Sequence, residues 1–228
     1  MKYIKKCKTG IGYRKLLKIH KSEGCYDDTK NDNSKIPKVT TRTDILNDLL
    51  QEQGFICAYC MRKISVENAK IEHIIGQSYV DDEGNSIGRL EDTNYDNILA
   101  VCQGDFCLQE THCDNSRSKY QNNKPLLEIS PLNEPQMKHI KFTQSGKVYY
   151  LALDKETTVN DTLNHILNLN CDAMIEERAN IIKAVKRSLS RYKFNKRFAQ
   201  KQLEYWQAKN STYKPFCQVA IFELQKHI

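Results

Sequence analysis

Nine cysteines, five of them between residues 57 and 113, constrain this chain more than any other feature. Cys57 and Cys60 frame a C-x-x-C, and Cys102, Cys107 and Cys113 follow downstream. Zinc takes four thiolate or imidazole ligands in a tetrahedron, and two knuckles far apart in sequence can supply two ligands each. The expected set is Cys57, Cys60, Cys102 and Cys113, with Cys107 in an inserted loop as the alternative to Cys113. A redox C-x-x-C requires a helix starting at its first cysteine within a βαβ pattern, and that pattern is absent here. Four protein ligands leave no position for water, so such a zinc is structural. It clamps the start of a loop-rich segment to its end, and any chemistry needs other residues.

The compartment follows from the same residues. Cellular thiol buffers keep cytosolic cysteines reduced, which suits metal binding better than disulfides. The scattered Cys7, Cys25, Cys171 and Cys217 are expected as small buried hydrophobes. No run approaches the ~20 apolar residues that span a membrane, and "MKYIKKCKTG" has no apolar core behind its charge. The chain is expected to be cytoplasmic, without membrane contact. At 228 residues, 39% hydrophobic, it can bury a real core.

Charge is unevenly spread. The net +7 combines a strongly basic residues 1–21, a strongly acidic 22–177 and a strongly basic 178–214. Basic ends around an acidic, metal-capable centre suit a phosphate-binding protein.

Residues 27–44 are rich in Asn, Asp, Ser and Thr and read as a linker. Thr43 or Asp44 is a candidate N-cap for "ILNDLLQEQ", and Gly54 stops that helix. "KIEHII" and "NILAVC" read as short strands, and "DNSRSKYQNN" starts a short helix near Asp114 or Asn115. "KHIKFTQSGKVYYLAL" reads as a β-hairpin turning at Ser145-Gly146, and residues 159–208 carry helical periodicity.

The acid–base pair Glu72-His73 lies inside "KIEHII", followed by Asn97 and by "HCDN" at 112–115. Hydrolysis of a phosphodiester needs a base for water, a divalent ion for the phosphate, and a group that orients the base. Consecutive strand residues point to opposite faces, so Glu72 and His73 serve one site only from a strand end or bend.

C-x-x-C, Glu-His, Asn, then a Cys followed by Asp or Asn and a basic residue resembles the HNH endonucleases over residues 57–119. A wider set, "MKYIKK", "LLQEQGFICAYCMRKI", "IEHIIGQS", "HCD" and "ILNLNCDAMIEER", is similar to the PtuB-like components of the Septu anti-phage defence system, also found with retrons. The resemblance implies an α+β chain with a ββα-metal core, a small hairpin and a mainly helical C-terminal region. It divides the chain into a basic extension and linker (1–44), a zinc-stabilised nuclease segment (45–125), and the hairpin with basic helices (126–228). By resemblance His73 is the general base, Glu72 a ligand of the catalytic ion, and Asn97 the residue that fixes the loop and base through backbone hydrogen bonds. Asp114 is the favoured further ligand, with Asn115 and His112 as alternatives. Either carboxylate or amide oxygen suits Mg2+ or Mn2+.

The resemblance further implies a partner ATPase, PtuA-like and of the ABC/SMC type, and a nucleic-acid target, DNA first and RNA as the alternative. The basic tail with Lys186, Arg187, Arg191, Lys193, Lys196 and Arg197, interleaved with Tyr192, Phe194 and Phe198, is a candidate surface for nucleic acid or the ATPase. A zinc-stabilised binding module without catalysis, and a stand-alone restriction or homing nuclease, are the competing expectations.

Overall fold

Two strands and two helices build the layer on which the candidate site rests. The structure, a computed structural model, describes residues 1–30, 40–107, 110–120 and 125–228. Helix α1 (Ile11–Lys21) packs on α2 (Thr41–Gln53), with Leu16, Ile45, Leu49 and Leu50 fully buried. Each such side chain contributes roughly 1.5–3 kcal/mol on removal from water. The approach is close because Gly12 carries no side chain: a Cβ there would lie 2.3 Å from the backbone nitrogen of Ile45. The basic segment read from charge alone is therefore a helix with an apolar face.

The N-cap of α2 is Thr40, whose hydroxyl accepts from the Thr43 N–H, not Thr43 or Asp44. Thr43 lies inside the helix, and its N–H is the first-turn donor that the Thr40 hydroxyl satisfies. Gly54 ends α2 in the left-handed conformation (φ 64°), as expected. Residues 41–44 of the expected linker are thus helical, Tyr26–Lys30 form a short 3-10 turn, and 31–39 lie outside the described residues.

Strand β1 (Ala69–His73) pairs antiparallel with β2 (Ile98–Cys102), from Ala69 opposite Cys102 to His73 opposite Ile98. All of β2 is buried. The short helix α3 (Ile87–Leu90) lies in the connection. Gln53, at the end of α2, takes the place of a strand partner: its amide accepts from Ala100 N–H (2.8 Å) and donates to Ala100 C=O (2.8 Å). Among the described residues no strand pairs with the other edge of β1. A small hairpin of β3 (Asp105–Cys107) and β4 (Glu110–Thr111) leads into α4 (Cys113–Arg117).

After α5 (Glu134–Lys138), strands β5 (Ile140–Phe142) and β6 (Val148–Tyr150) form the expected hairpin, with Gly146 at φ 92° in its turn. The helical region is α6 (Glu156–Asp161), a π-turn at Thr162–Ile166, α7 (Asp172–Arg191), α8 (Lys196–Gln207) and α9 (Cys217–Gln225). Arg178, buried in α7, ties this region together by donating to Gly146 C=O and Leu169 C=O, both at 2.6 Å. The chain is α+β, with helices and small antiparallel hairpins. No helix among the described residues is long and apolar enough to cross a membrane. Of the scattered cysteines, Cys171 and Cys217 are buried as expected, Cys25 is intermediate, and Cys7 is exposed.

Candidate metal centre and candidate active site

Four sulfurs meet where the turn before β1, the end of β2 and the start of α4 converge. The Sγ atoms of Cys57, Cys60, Cys102 and Cys113 all lie within 4.8 Å of one another, and all four residues are buried. Cys57 and Cys113 sulfurs are 3.9 Å apart, those of Cys60 and Cys102 3.6 Å. A tetrahedron with Zn–S bonds of about 2.3 Å has edges of about 3.8 Å, so the spacing fits zinc. Cys107, expected in an inserted loop, instead ends strand β3 and pairs with Glu110; its side chain lies outside the described residues.

Local backbone chemistry sets each ligand. The Cys57–Cys60 turn closes through Met61 N–H to Cys57 C=O (3.0 Å) and Cys57 N–H to Arg62 C=O (2.8 Å), with Met61 in the left-handed region. The Cys102 N–H points at Cys57 Sγ (3.3 Å) and the His112 Nδ1 lies 3.2 Å from Cys113 Sγ. Gly104 permits the return of the chain, because a Cβ at its φ of 89° would sit 1.7 Å from the His112 carbonyl oxygen. Cys113 N–H is held by Leu167 C=O (2.9 Å).

The buried thiols of this cage ionise unequally, which is compatible with a bound cation. Burial opposes charge on Cys60, yet bonds from Cys102, Cys113, Cys57 and His112 hold its thiol well below the usual range. Burial, followed by bonds to Cys102, Cys57 and Cys60, pushes Cys113 well above it. The Cys60 thiolate is favoured while Cys102 and Cys113 resist ionisation, a conflict that a divalent ion held by these sulfurs would remove.

His73, the last residue of β1, is buried and its Nε2 lies 2.9 Å from the Asp92 carbonyl oxygen. A carbonyl only accepts, so in the neutral ring Nε2 carries the proton and Nδ1 the lone pair. Tyr26 meets the imidazole edge to face at 4.6 Å, and its N–H donates to Asp92 Oδ2 (3.1 Å). Asp92 thus holds the imidazole through its carbonyl and the Tyr26 backbone through its carboxylate, a role that sequence reading missed. Asn97 accepts from Ile75 N–H (2.7 Å) and donates to Ile75 C=O (3.1 Å) and Glu91 C=O (3.0 Å), pinning the loop that follows His73.

Glu72 turns to other partners. Its Oε1 accepts from Arg117 Nη1 at 2.6 Å, and the same guanidinium donates to His73 C=O (2.6 Å) and Ile74 C=O (2.5 Å). Both side chains are almost wholly buried. Removing one member of a buried, hydrogen-bonded ion pair costs about 3–5 kcal/mol, because the other is left charged in a poor solvent. Arg117→Met is therefore expected to lower unfolding free energy by that amount in urea titrations, and an unchanged midpoint would show the pair to be energetically idle.

Asp114, at the start of α4, accepts from Lys70 Nζ (2.9 Å); the carboxylate is buried and the lysine half-exposed. Asn115 N–H donates to Gln103 C=O (3.0 Å). His112 is committed to the sulfur cage through Nδ1. Among the described residues, the four cysteines are the one group of three or more Cys, His, Asp or Glu side chains close enough to share an ion.

His73 and Lys70 both line a cleft of about 430 Å³ along the open edge of β1, walled by Tyr26, Asp27, Lys30 and Arg42. Larger hollows, about 540 and 500 Å³, lie elsewhere and contain neither His73 nor Asp114.

The basic tail is split. Lys186 faces the hairpin, bonded to Gln144 and 3.8 Å from the buried Glu223 carboxylate. Arg187 and Arg191, with Lys183, line a groove on another face of α7. Lys193 and Phe194 form a left-handed turn before α8, where Tyr192 stacks on Phe198 at 3.9 Å, and Lys196 and Arg197 are exposed. Tyr192 and Phe194 are exposed as well, so these two aromatics are not core.

No protein-family model matches the chain, and no curated protein matches it.

Proposed function

We propose that this protein is a metal-dependent endonuclease of the HNH type, hydrolysing phosphodiester bonds of nucleic acid, with DNA as the favoured target. The observation that carries the reading is the placement of His73: its Nε2–H is fixed on the Asp92 carbonyl, and the residue lines a cleft together with Lys70, whose ammonium is bonded to Asp114. The strand–strand–helix order and the four-cysteine cage support it.

In this reading Nδ1 of His73 takes a proton from the attacking water. Asp92 and Tyr26 keep the ring from rotating, and Asn97 holds the backbone behind it. Asp114 would hold a divalent ion, with Glu72 or Asn115 as further donors. Oxygen ligands of this kind suit Mg2+ or Mn2+. Such an ion supplies charge neutralisation at the phosphate and the leaving oxygen when bound. Lys70 is the group it would displace from Asp114, because the lysine is half-exposed, whereas Arg117 is buried on Glu72. The zinc cage fixes the ends of the segment and takes no part in the reaction.

We further propose, from the resemblance, that the chain is the effector of an anti-phage defence complex with an ABC/SMC-type ATPase. A binding module that does not cut is the second reading, favoured by one observation: the Glu72–Arg117 pair is satisfied without any ion. Incubation of supercoiled plasmid and of RNA with the protein, alone and with the ATPase, separates the two. Nicking that requires Mg2+ or Mn2+ and stops with chelator is expected; intact substrate under every condition would leave the binding module.

A further inference from the structure

The walls of the cleft over His73 carry cations that the hydrolytic step does not require. Lys30 comes from the 3-10 turn and Arg42 from the first turn of α2, so both reach over β1 from the N-terminal part of the chain. Arg42 is oriented before any ligand arrives: its guanidinium lies 4.5 Å over the Tyr26 ring, and Nε donates to the Thr29 hydroxyl (3.3 Å). That same Tyr26 ring packs against His73. Asp27 sits between the two cations, 2.7 Å from Lys30 and 3.8 Å from Arg42, but its side chain is 69% exposed. Exposed ion pairs of this kind are worth little, so an incoming phosphate exchanges for the carboxylate at small cost.

We infer that Lys30 and Arg42, together with Lys70, clamp a polynucleotide backbone on either side of the phosphodiester offered to His73. The planar guanidinium fork matches phosphate oxygens, and the two ammonium groups act as point charges beside it. Tyr26 is buried and engaged with His73, so it offers no open face for base stacking. The clamp therefore grips phosphates with little dependence on sequence. The identity of the bond cut rests on the nuclease reading; the grip itself does not.

Binding is tested in the His73→Ala background, without added Mg2+ or Mn2+, by fluorescence anisotropy with labelled single-stranded DNA, duplex DNA and RNA. Lys30→Ala and Arg42→Gln are each expected to weaken binding by about 3- to 10-fold. Each should also make the dependence of log affinity on log salt shallower, by about 0.7–0.9 for every phosphate that is no longer neutralised. Lys155→Ala, an exposed lysine paired with Glu128, serves as the charge control and should change neither. Lys30 has a largely exposed side chain, so its removal reports on binding and not on folding. The proposal is overturned by unchanged salt slopes in both variants, or by no measurable binding of any of the three nucleic acids. Weakened binding in the variants with no cleavage by the unaltered protein would uphold the clamp and sink the hydrolase. Cleavage with unaltered binding would do the reverse.

Discussion

Replacing His73 with alanine is expected to lower phosphodiester cleavage by at least about 100-fold, the usual contribution of a positioned general base. The expectation follows from what the imidazole touches. Nε2 is tied to the Asp92 carbonyl, so in the neutral ring Nδ1 is the nitrogen that accepts a proton. Among the described residues no other histidine lines that cleft. The fold should survive the change: the imidazole's hydrogen bond to Asp92 and its ring contact with Tyr26 both lie outside the sulfur cage. Circular dichroism and metal content are therefore expected to match those of the parent. Activity within a few-fold of the parent, at equal zinc content, would remove His73 as the base.

The second large effect concerns the cage. Cys60→Ser or Cys102→Ser is expected to abolish binding of one equivalent of zinc and to unfold the segment around β1, β2 and α4. Structural zinc contributes an apparent ~10–16 kcal/mol in small domains, comparable with or larger than the ~5–15 kcal/mol net stability of a typical protein. The segment can ill spare it, because its sheet has two short strands and α4 only five residues. Atomic absorption and thermal melts measure both quantities. Cys107→Ser is the informative control: it should keep the ion and the melting temperature, since four other sulfurs already complete the tetrahedron. A protein that melts normally after its metal is stripped would show the cage to be an ordinary cluster of buried thiols.

How much of this was legible before the fold was known varies by residue. The cysteine spacing announced the cage, because a tetrahedral ion leaves few ways to arrange two pairs. Strands β1, β2, β5 and β6 and the Ser145-Gly146 turn were legible from short-range patterning, as was the Gly54 stop; β3 and β4 were not. Helix α9 was not: "CQVAIFELQ" is buried on most sides, so it lacks the polar stripe that betrays an amphipathic helix. Helix α1 was read through its lysines, and only the packing of Leu16 and Gly12 against α2 reveals its inner face. The supports of the candidate site were least legible. Tyr26 reaches His73, Asp92 reaches both, and Arg117 reaches Glu72, each across a long stretch of chain. Local periodicity carries no information about such meetings. Sequence spacing likewise held no sign that Lys186 turns to Glu223 while Arg187 and Arg191 line a groove elsewhere.

The anchoring of Cys113 has a further consequence. Its amide rests on Leu167, and the turn that carries Cys57 and Cys60 is strapped to α7 by Arg62 and Glu177. A fragment trimmed at residue 125 would lose both struts at once, so the strand–strand–helix unit is no detachable cassette and has to be expressed with the downstream helices that brace it.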